Sequence, residues 1–327
     1  MTIQEQINQS HQDRKEKPRP HLGCSMLGHA CDRWLWISFR WAVIEKFDGR
    51  ILRLFRRGQL EEQTVIQDLR AIGIDVSNTS TNQSRVSFGS HVSGSIDGIL
   101  NNSILEIKTH ALKSFDYLVK NGVKKSKPLH FDQMQVYMLG SKLNKALYYA
   151  VCKNDDRIYT EEVELDKDKA ERLVNRGQYI ALTDDMPAPL SQDASWYECK
   201  FCPAHDFCFK SKTTKEVNCR TCAHASALAD NTWKCERHNA ENIPYEFQLQ
   251  GCQDHVLHPE LVPYKRLPST SEHEAIYEID GVPVRNGSPD AFVYSSKEIL
   301  ANPLACAHPD NTIELLRDSF GARIIEC

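Results

Sequence analysis

Apolar and polar positions along this chain change their period several times, and each change marks an expected element. Residues 1–20 are polar and charged and close at Pro18 and Pro20, the composition of a loose arm. After Cys31 a helix is expected, with Leu35, Phe39 and Ala42 on one stripe. Residues 55–73 repeat apolar positions at helical spacing, so that Val65, Ile66, Leu69 and Ile72 share a face. Glu62 falls within that stripe and Glu61 at its edge; a carboxylate aimed at a core is costly unless it is paired or metal-bound. A short extended piece and a polar loop over 77–84 lead into residues 94–109, where apolar side chains alternate on both sides of Asn101 and Asn102. Asn tolerates the positive φ of a two-residue hairpin turn, so a β-hairpin is expected there. Beyond it the pattern predicts a helix over 130–140 after Pro128, a buried strand over 145–153 and an alternating strand over 158–165. Asp166 is placed to cap a helix running to about residue 182. This order predicts an α/β fold with a mixed sheet flanked by helices. Residues 256–327 are less informative. Strands over 282–284 and 291–294 and helices over 296–302 and 311–320 suggest a small α/β appendage.

The hairpin carries the chemistry. With Asn101 and Asn102 as its turn, Leu100 pairs with Ser103 and Asp97 falls opposite Glu106. Directly opposed side chains have Cβ atoms about 4.5–5.5 Å apart, where like charges destabilise. Alternation puts Lys108 on the face of Asp97 and Glu106, and Ile96, Leu105 and Ile107 on a core-facing one. Two carboxylates this close can hold Mg²⁺ or Mn²⁺, which prefer oxygen ligands. Such an ion acidifies water and stabilises charge on a phosphate, and Lys108 could assist either task. The plainer alternative is a half-exposed hairpin with scattered charges.

Asp97-Gly98 followed by Glu106-Ile107-Lys108 resembles the PD-(D/E)XK nucleases, in the form carried by their RecB-like and phage exonuclease branch. Ile96 stands where the family name has Pro. Gly58 and Glu62 are similar to the branch's helical acidic motif, with Glu61 as the alternative. Gln133 and Tyr137, four residues apart and so on one helix face, match its Gln-x-x-x-Tyr element. The resemblance implies a restriction-endonuclease-like core. It also implies a site in which Glu62, Asp97, Glu106 and the Ile107 carbonyl hold metal, with Lys108 positioning water and Gln133 and Tyr137 near the DNA.

The chain has twelve cysteines, seven of them between Cys199 and Cys252. Without an expected secretory signal they suggest metal ligation rather than disulfides. Cys199, Cys202 and Cys208 form a C-x₂-C-x₅-C run that leaves a four-ligand site one short. Cys31 is the best candidate for the fourth, with Cys24 or His205 as substitutes. One cysteine before the core and three after it is similar to the iron–sulfur nucleases of the RecB family, AddB among them, which implies a [4Fe–4S] cluster on Cys31, Cys199, Cys202 and Cys208. Zinc competes, since it also accepts four thiolates. Cys219, Cys222, Cys235 and Cys252 form a second, zinc-ribbon-like group, in which His238 or His255 could replace Cys252. Cys152, Cys306 and Cys327 have no evident partners.

Composition adds limits. At 327 residues the chain is long enough for about two domains. The expected division is a flexible arm (1–20), a nuclease domain with its cluster (21–212), a zinc-binding module (213–258) and the appendage (259–327). Net charge is −4, so nucleic acid would have to meet a local basic patch. Arg53, Arg56 and Arg57 are candidates, as are the six lysines at 108, 113, 120, 124, 125 and 127, relieved only by Asp116. A solvated lysine loop is the alternative. Trp34, Trp36 and Trp41 could stack on bases or pack in the core. No apolar run reaches the ~20 residues of a membrane span, the start lacks a signal-peptide core, and a cytoplasmic protein is expected, in the host cytoplasm if phage-encoded. No phosphate-binding glycine loop points to a nucleotide-driven motor. The leading expectation is a Mg²⁺- or Mn²⁺-dependent DNA exonuclease acting on single strands or duplex ends in recombination, repair or replication, with recombination or replication proteins as possible partners. The alternatives are a structure-selective endonuclease and a non-catalytic nucleic-acid-binding or assembly factor.

Overall fold

The computed structural model describes residues 1–14, 17–79, 84–290 and 292–324; Cys327, Ala291 and part of the polar loop before the hairpin lie outside them. The chain forms two compact units. One comprises Met1–Ala30 and Glu45–Ala181, the other Cys31–Ile44 and Leu182–Cys327.

The first unit is built on a five-stranded mixed sheet. In spatial order its strands are Val76–Ser77, Gly98–Leu100, Ser103–His110, Lys145–Cys152 and Ile158–Glu164. The hairpin forms as its sequence dictates. Asn101 and Asn102 both take positive φ (44° and 62°), and Leu100 pairs with Ser103. The strand Ser103–His110 then runs parallel to Lys145–Cys152, which pairs antiparallel with Ile158–Glu164. The crossover between the parallel strands holds the helices Leu112–Ser126 and Pro128–Ser141. The lysine-rich segment is therefore helical rather than a loop. It is kinked at Gly122 (φ 72°), with Phe115, Leu118 and Val123 buried.

The long helix Gly49–Ala71 lays Val65, Ile66 and Leu69 onto Leu105, Ile107, Tyr149 and Val151 of the sheet. Ile72 lies past its end and is exposed. The expected loose arm holds a helix, Ile3–Gln12, with a capping box between Thr2 and Glu5. It lies against the long helix where Gly49 is required. A Cβ there would come within 2.2 Å of the Asn8 carbonyl oxygen. Arg53 donates to Asn8 Oδ1 at 3.3 Å and Arg57 to the Lys153 carbonyl at 3.1 Å. Asp166 accepts from Lys169 N and opens the helix Lys167–Leu182.

The second unit contains both cysteine groups and the helix Asp32–Phe39, whose N-cap is Cys31. Two buried arginines explain why this segment belongs with residues 182–327. Arg40 stacks on Trp36 (4.8 Å to the ring centroid) and pairs with Asp184. Arg220 stacks on Trp41 (3.7 Å) and donates to the Phe39 carbonyl at 2.8 Å. Trp34, Trp36 and Trp41 are thereby buried, and base stacking is not open to them. A four-stranded sheet of Lys265–Leu267, Ala275–Ile279, Val282–Asn286 and Val293–Tyr294 shares one apolar core with Val256, Leu257 and Ala223. The segments expected as separate zinc module (213–258) and appendage (259–327) are thus fused by packing. The divisions expected at residues 20, 212 and 258 do not coincide with the edges of the two units. No helix among the described residues is long and apolar enough to cross a membrane.

Candidate active site

The turn geometry of the hairpin fixes three side chains at one end of the sheet. The ladder ends at the pair Gly98–Leu105, one residue short of Asp97. Asp97 lies at a bend instead, and its Oδ2 accepts a 3.0 Å hydrogen bond from Ile107 N. Strict opposition of Asp97 and Glu106 is therefore replaced by a carboxylate that caps the backbone beside Glu106. Glu106 is fully buried, and among the described residues its Oε2 has no hydrogen-bond donor. Its Oε1 is ion-paired with Lys108. The Lys108 ammonium also donates to the Ile107 carbonyl at 3.3 Å. Leu105 and Ile107 point into the opposite, apolar face, as strand alternation requires.

Glu62 joins this group from the long helix. Burial and the nearby Asp97 carboxylate push its carboxyl up to about 7, against the opposing pull of Lys108. Glu61, which the sequence places at the edge of the stripe as the alternative, acts instead on Tyr149, whose phenol burial raises and Asp68 and Glu61 help to raise. Burial likewise raises Glu106 to about 7; Lys108 lowers it, while Asp97 and Glu62 add to the rise. Lys108 is itself held above the ordinary lysine range. Burial would lower it, but Glu106, Asp97 and Glu62 together outweigh that. Three carboxylates crowd one ammonium, an excess of negative charge in a poorly hydrated place.

Gln133 and Tyr137 lie buried on the helix Pro128–Ser141 and share a hydrogen bond. The tyrosine approaches Gly94 so closely that a Cβ there would meet its Cε1 at 2.9 Å and Cys24 Cβ at 2.9 Å. Burial, then the negative charge of Glu106, raises the Tyr137 phenol, which stays neutral. Cys24 is taken up in this contact, and burial pushes its thiol up to about 12.

Sequence reasoning passed over a second group on the same strand. His110 Nε2 lies 2.9 Å, and His130 Nδ1 2.8 Å, from the Tyr148 hydroxyl. Burial drives His110 down to about 4 and His130 to about 3, with Lys127 and Lys108 adding to both, so both rings are neutral. The available signal was the period of two. His110 follows Glu106 and Lys108 on one face of the strand.

In the second unit Cys31, Cys199, Cys202 and Cys208 lie within electrostatic reach of one another, but among the described residues no three of their sulfurs lie within 4.8 Å of one another. Burial raises the thiols of Cys199, Cys202 and Cys208, and the neighbouring thiolates raise them further; Cys202 reaches about 11. Arg33 opposes this at Cys208. Cys31 Sγ also accepts from Trp34 N at 3.4 Å. His205 turns to Asp206, 3.3 Å away. Cys219, Cys222, Cys235 and Cys252 line one cavity of about 280 Å³ with His224, His238, Asp254 and His255. Among the described residues no compact four-cysteine cluster forms. The tight donor set there is His238, Cys252 and Asp254, with donor atoms within 4.8 Å of one another. Tetrahedral zinc–sulfur bonds of about 2.3 Å place sulfurs about 3.8 Å apart, so the all-cysteine ligand set expected for zinc is not assembled. His255 is committed elsewhere. Its ring nitrogens bond Ser296 Oγ at 2.7 Å and the Asn218 carbonyl at 3.1 Å.

No sequence family and no curated protein matches this chain. Solved structures do. The alkaline exonuclease LHK-Exo of Laribacter hongkongensis, in its complex with dAMP, is 16% identical with a TM-score of 0.39, over 54% of this chain and 90% of that one. The protein SSO0001 is 16% identical with a TM-score of 0.38, over 62% of this chain and 95% of that one. A phage related exonuclease from Haemophilus somnus 129PT is 19% identical with a TM-score of 0.30, over 38% of this chain and 67% of that one.

Proposed function

We propose that this chain is a Mg²⁺- or Mn²⁺-dependent DNA exonuclease. The observation that carries the reading is Glu106. It is a fully buried carboxylate with an unsatisfied oxygen, crowded by Asp97 and Glu62 and offset by one lysine. Burying charge this way is costly unless something compensates it. A hard divalent ion does so, and oxygen donors are what Mg²⁺ and Mn²⁺ take. Glu62, Asp97, Glu106 and the Ile107 carbonyl are the residues that would hold it.

When bound, the ion supplies acidification of water and neutralisation of phosphate charge. The chain's own groups do the rest. Lys108 carries a permanent positive charge at the site and stabilises charge growing on the phosphate oxygens. Asp97 uses one oxygen on Ile107 N and has its other oxygen to offer an ion. Tyr137 and Gln133 stay neutral and form a wall beside Glu106 that offers hydrogen bonds to substrate. The same reading assigns a [4Fe–4S] cluster to Cys31, Cys199, Cys202 and Cys208. It assigns a zinc ion to the second cysteine group, with His238 and Cys252 among the ligands. Recombination, repair or replication is the proposed setting.

The deciding experiment is digestion of end-labelled single-stranded, duplex and closed circular DNA with and without Mg²⁺. Metal-dependent release of nucleotides from ends, with circles intact, is the expected outcome. Cutting of closed circles would make the protein an endonuclease, and no cleavage of any substrate would leave only a binding role.

A further inference from the structure

Large aromatic rings are rarely left in water in a group. Within one short segment of the second unit, Trp196, Tyr197 and Phe201 are 52%, 74% and 69% exposed. The local fold holds them there. Ser195 N and Oγ both donate to Asp193 Oδ1 at 2.8 Å, and Trp196 N donates to the Asp193 carbonyl at 3.1 Å. The turn so made opens the short helix Tyr197–Lys200. That helix points Cys199 inward, leaving its other side chains outside. Tyr197 and Phe201 stand edge to face with centroids 5.3 Å apart. Lys200 lies over Phe201, its ammonium 5.7 Å from the ring centroid.

We propose that Trp196, Tyr197 and Phe201, with Lys200, form a stacking platform for single-stranded DNA. The ammonium of Lys200 on the face of Phe201 favours this occupant over an apolar protein face. Residues 196–215 carry Lys200, Lys210, Lys212 and Lys215 against Glu198 and Asp206, a net of +2 in a chain of −4. Asp206 is already engaged by Lys210 at 2.7 Å and by His205. Rings beside an ammonium group meet both parts of a single strand: bases stack on the π faces and a phosphate meets Lys200. Duplex DNA keeps its bases stacked internally and offers the rings nothing. The inference rests on the nuclease reading only for the choice of DNA as the polymer.

Tryptophan emission tests it directly, because Trp34, Trp36, Trp41 and Trp233 are buried and Trp196 is the exposed indole. The full chain carrying Asp97→Ala, which prevents digestion, is titrated with an oligo-dT strand and with a hairpin duplex. Quenching by oligo-dT and little response to duplex are expected. Tyr197→Ala with Phe201→Ala should weaken oligo-dT binding at least about 10-fold, since each stack is worth a factor of about 5 or more. Tyr197→Trp with Phe201→Trp should restore it. Unchanged emission on titration, or unchanged affinity in the double alanine variant, overturns the proposal. So does an emission change that follows protein concentration alone and disappears in that variant, which would mark the patch as a contact between copies. Cleavage is measured separately with Asp97 intact. Binding without any cleavage would sink the nuclease reading and leave the platform standing; cleavage without stacking would do the reverse.

Discussion

Asp97 Oδ2 accepts a hydrogen bond from Ile107 N at 3.0 Å, which ties the bend before one hairpin strand to the middle of the other. The contact separates two duties of one carboxylate. One oxygen holds the backbone at Ile107 in place, and the other is the one assigned to the proposed ion. Asn can keep the first duty and not the second. Asp97→Asn should therefore preserve thermal stability and the metal content proposed for the cysteine groups while lowering cleavage at least about 100-fold. Asp97→Ala should lose cleavage equally and about 1 kcal/mol of stability besides, for the missing hydrogen bond. Thermal unfolding and digestion of a labelled oligonucleotide, run on both variants, check this; wild-type turnover in either would remove Asp97 from the site.

Proton linkage gives a second test. Burial and mutual repulsion raise Glu106 and Glu62 to about 7, from an ordinary value of 4.5. A raised carboxyl binds its proton more tightly in the folded state, so its contribution to stability is full below about pH 4.5 and is lost as pH rises through 7. Lys108 is raised too, but it stays charged in both states across this range and does not move the window. The cation-free protein should lose stability between pH 5 and 8. Mg²⁺ should raise the melting temperature far more at pH 8 than at pH 5, because protonation competes with the ion. Glu106→Gln should flatten both trends. A Mg²⁺ effect independent of pH would mean that the ion binds elsewhere.

The hairpin was legible because its information is local. Paired asparagines set the turn, the turn sets the register, and the register sets the faces. The helix Gly49–Ala71 was legible from its apolar period, whereas the strand Lys145–Cys152 showed only as a continuous apolar run and the helix Pro128–Ser141, buried nearly all round, only through Pro128 and the spacing of Gln133 and Tyr137. Tertiary packing overrode local reading elsewhere. The arm over 1–20 looks disordered by composition, yet Gly49 lets Ile3–Gln12 lie against the long helix. Trp36 and Trp41 could equally serve a surface or a core until Arg40 and Arg220, the latter 180 residues from Arg40, are seen stacked on them. Helical spacing already put Glu62 within the apolar stripe and Glu61 at its edge; the charge interaction of Glu62 with Asp97 and Lys108 comes only with the tertiary structure.

Gly94 should tolerate no side chain. A Cβ would fall 2.9 Å from both Cys24 Cβ and Tyr137 Cε1, and both residues are buried with nowhere to move. Overpacking of this kind costs about 1–3 kcal/mol. Because the displaced ring belongs to the wall beside Glu106, Gly94→Ala should also reduce cleavage at saturating Mg²⁺. Gly58→Ala, in open space on the long helix, is the control and should leave cleavage unchanged. Urea midpoints and cleavage rates of the two variants separate the effects.

The two cysteine groups should empty independently. Cys31 is the only member of the first group contributed from outside residues 199–208, and it also caps the helix Asp32–Phe39 through Trp34 N. Cys31→Ser can keep that cap through its hydroxyl but is a poor ligand to iron beside three thiolates. The variant should lose iron and broad visible absorption together while retaining zinc. Cys222→Ser should do the opposite, since Cys222 belongs to the cavity shared with His238 and Cys252. His238→Ala should lower zinc content as far as Cys222→Ser if the compact His238, Cys252 and Asp254 set supplies ligands. Elemental analysis of anaerobically purified wild type and the three variants reads all of this at once. Zinc in place of iron at Cys31, Cys199, Cys202 and Cys208 would refute the cluster. Full zinc content in His238→Ala would return the second site to its four cysteines.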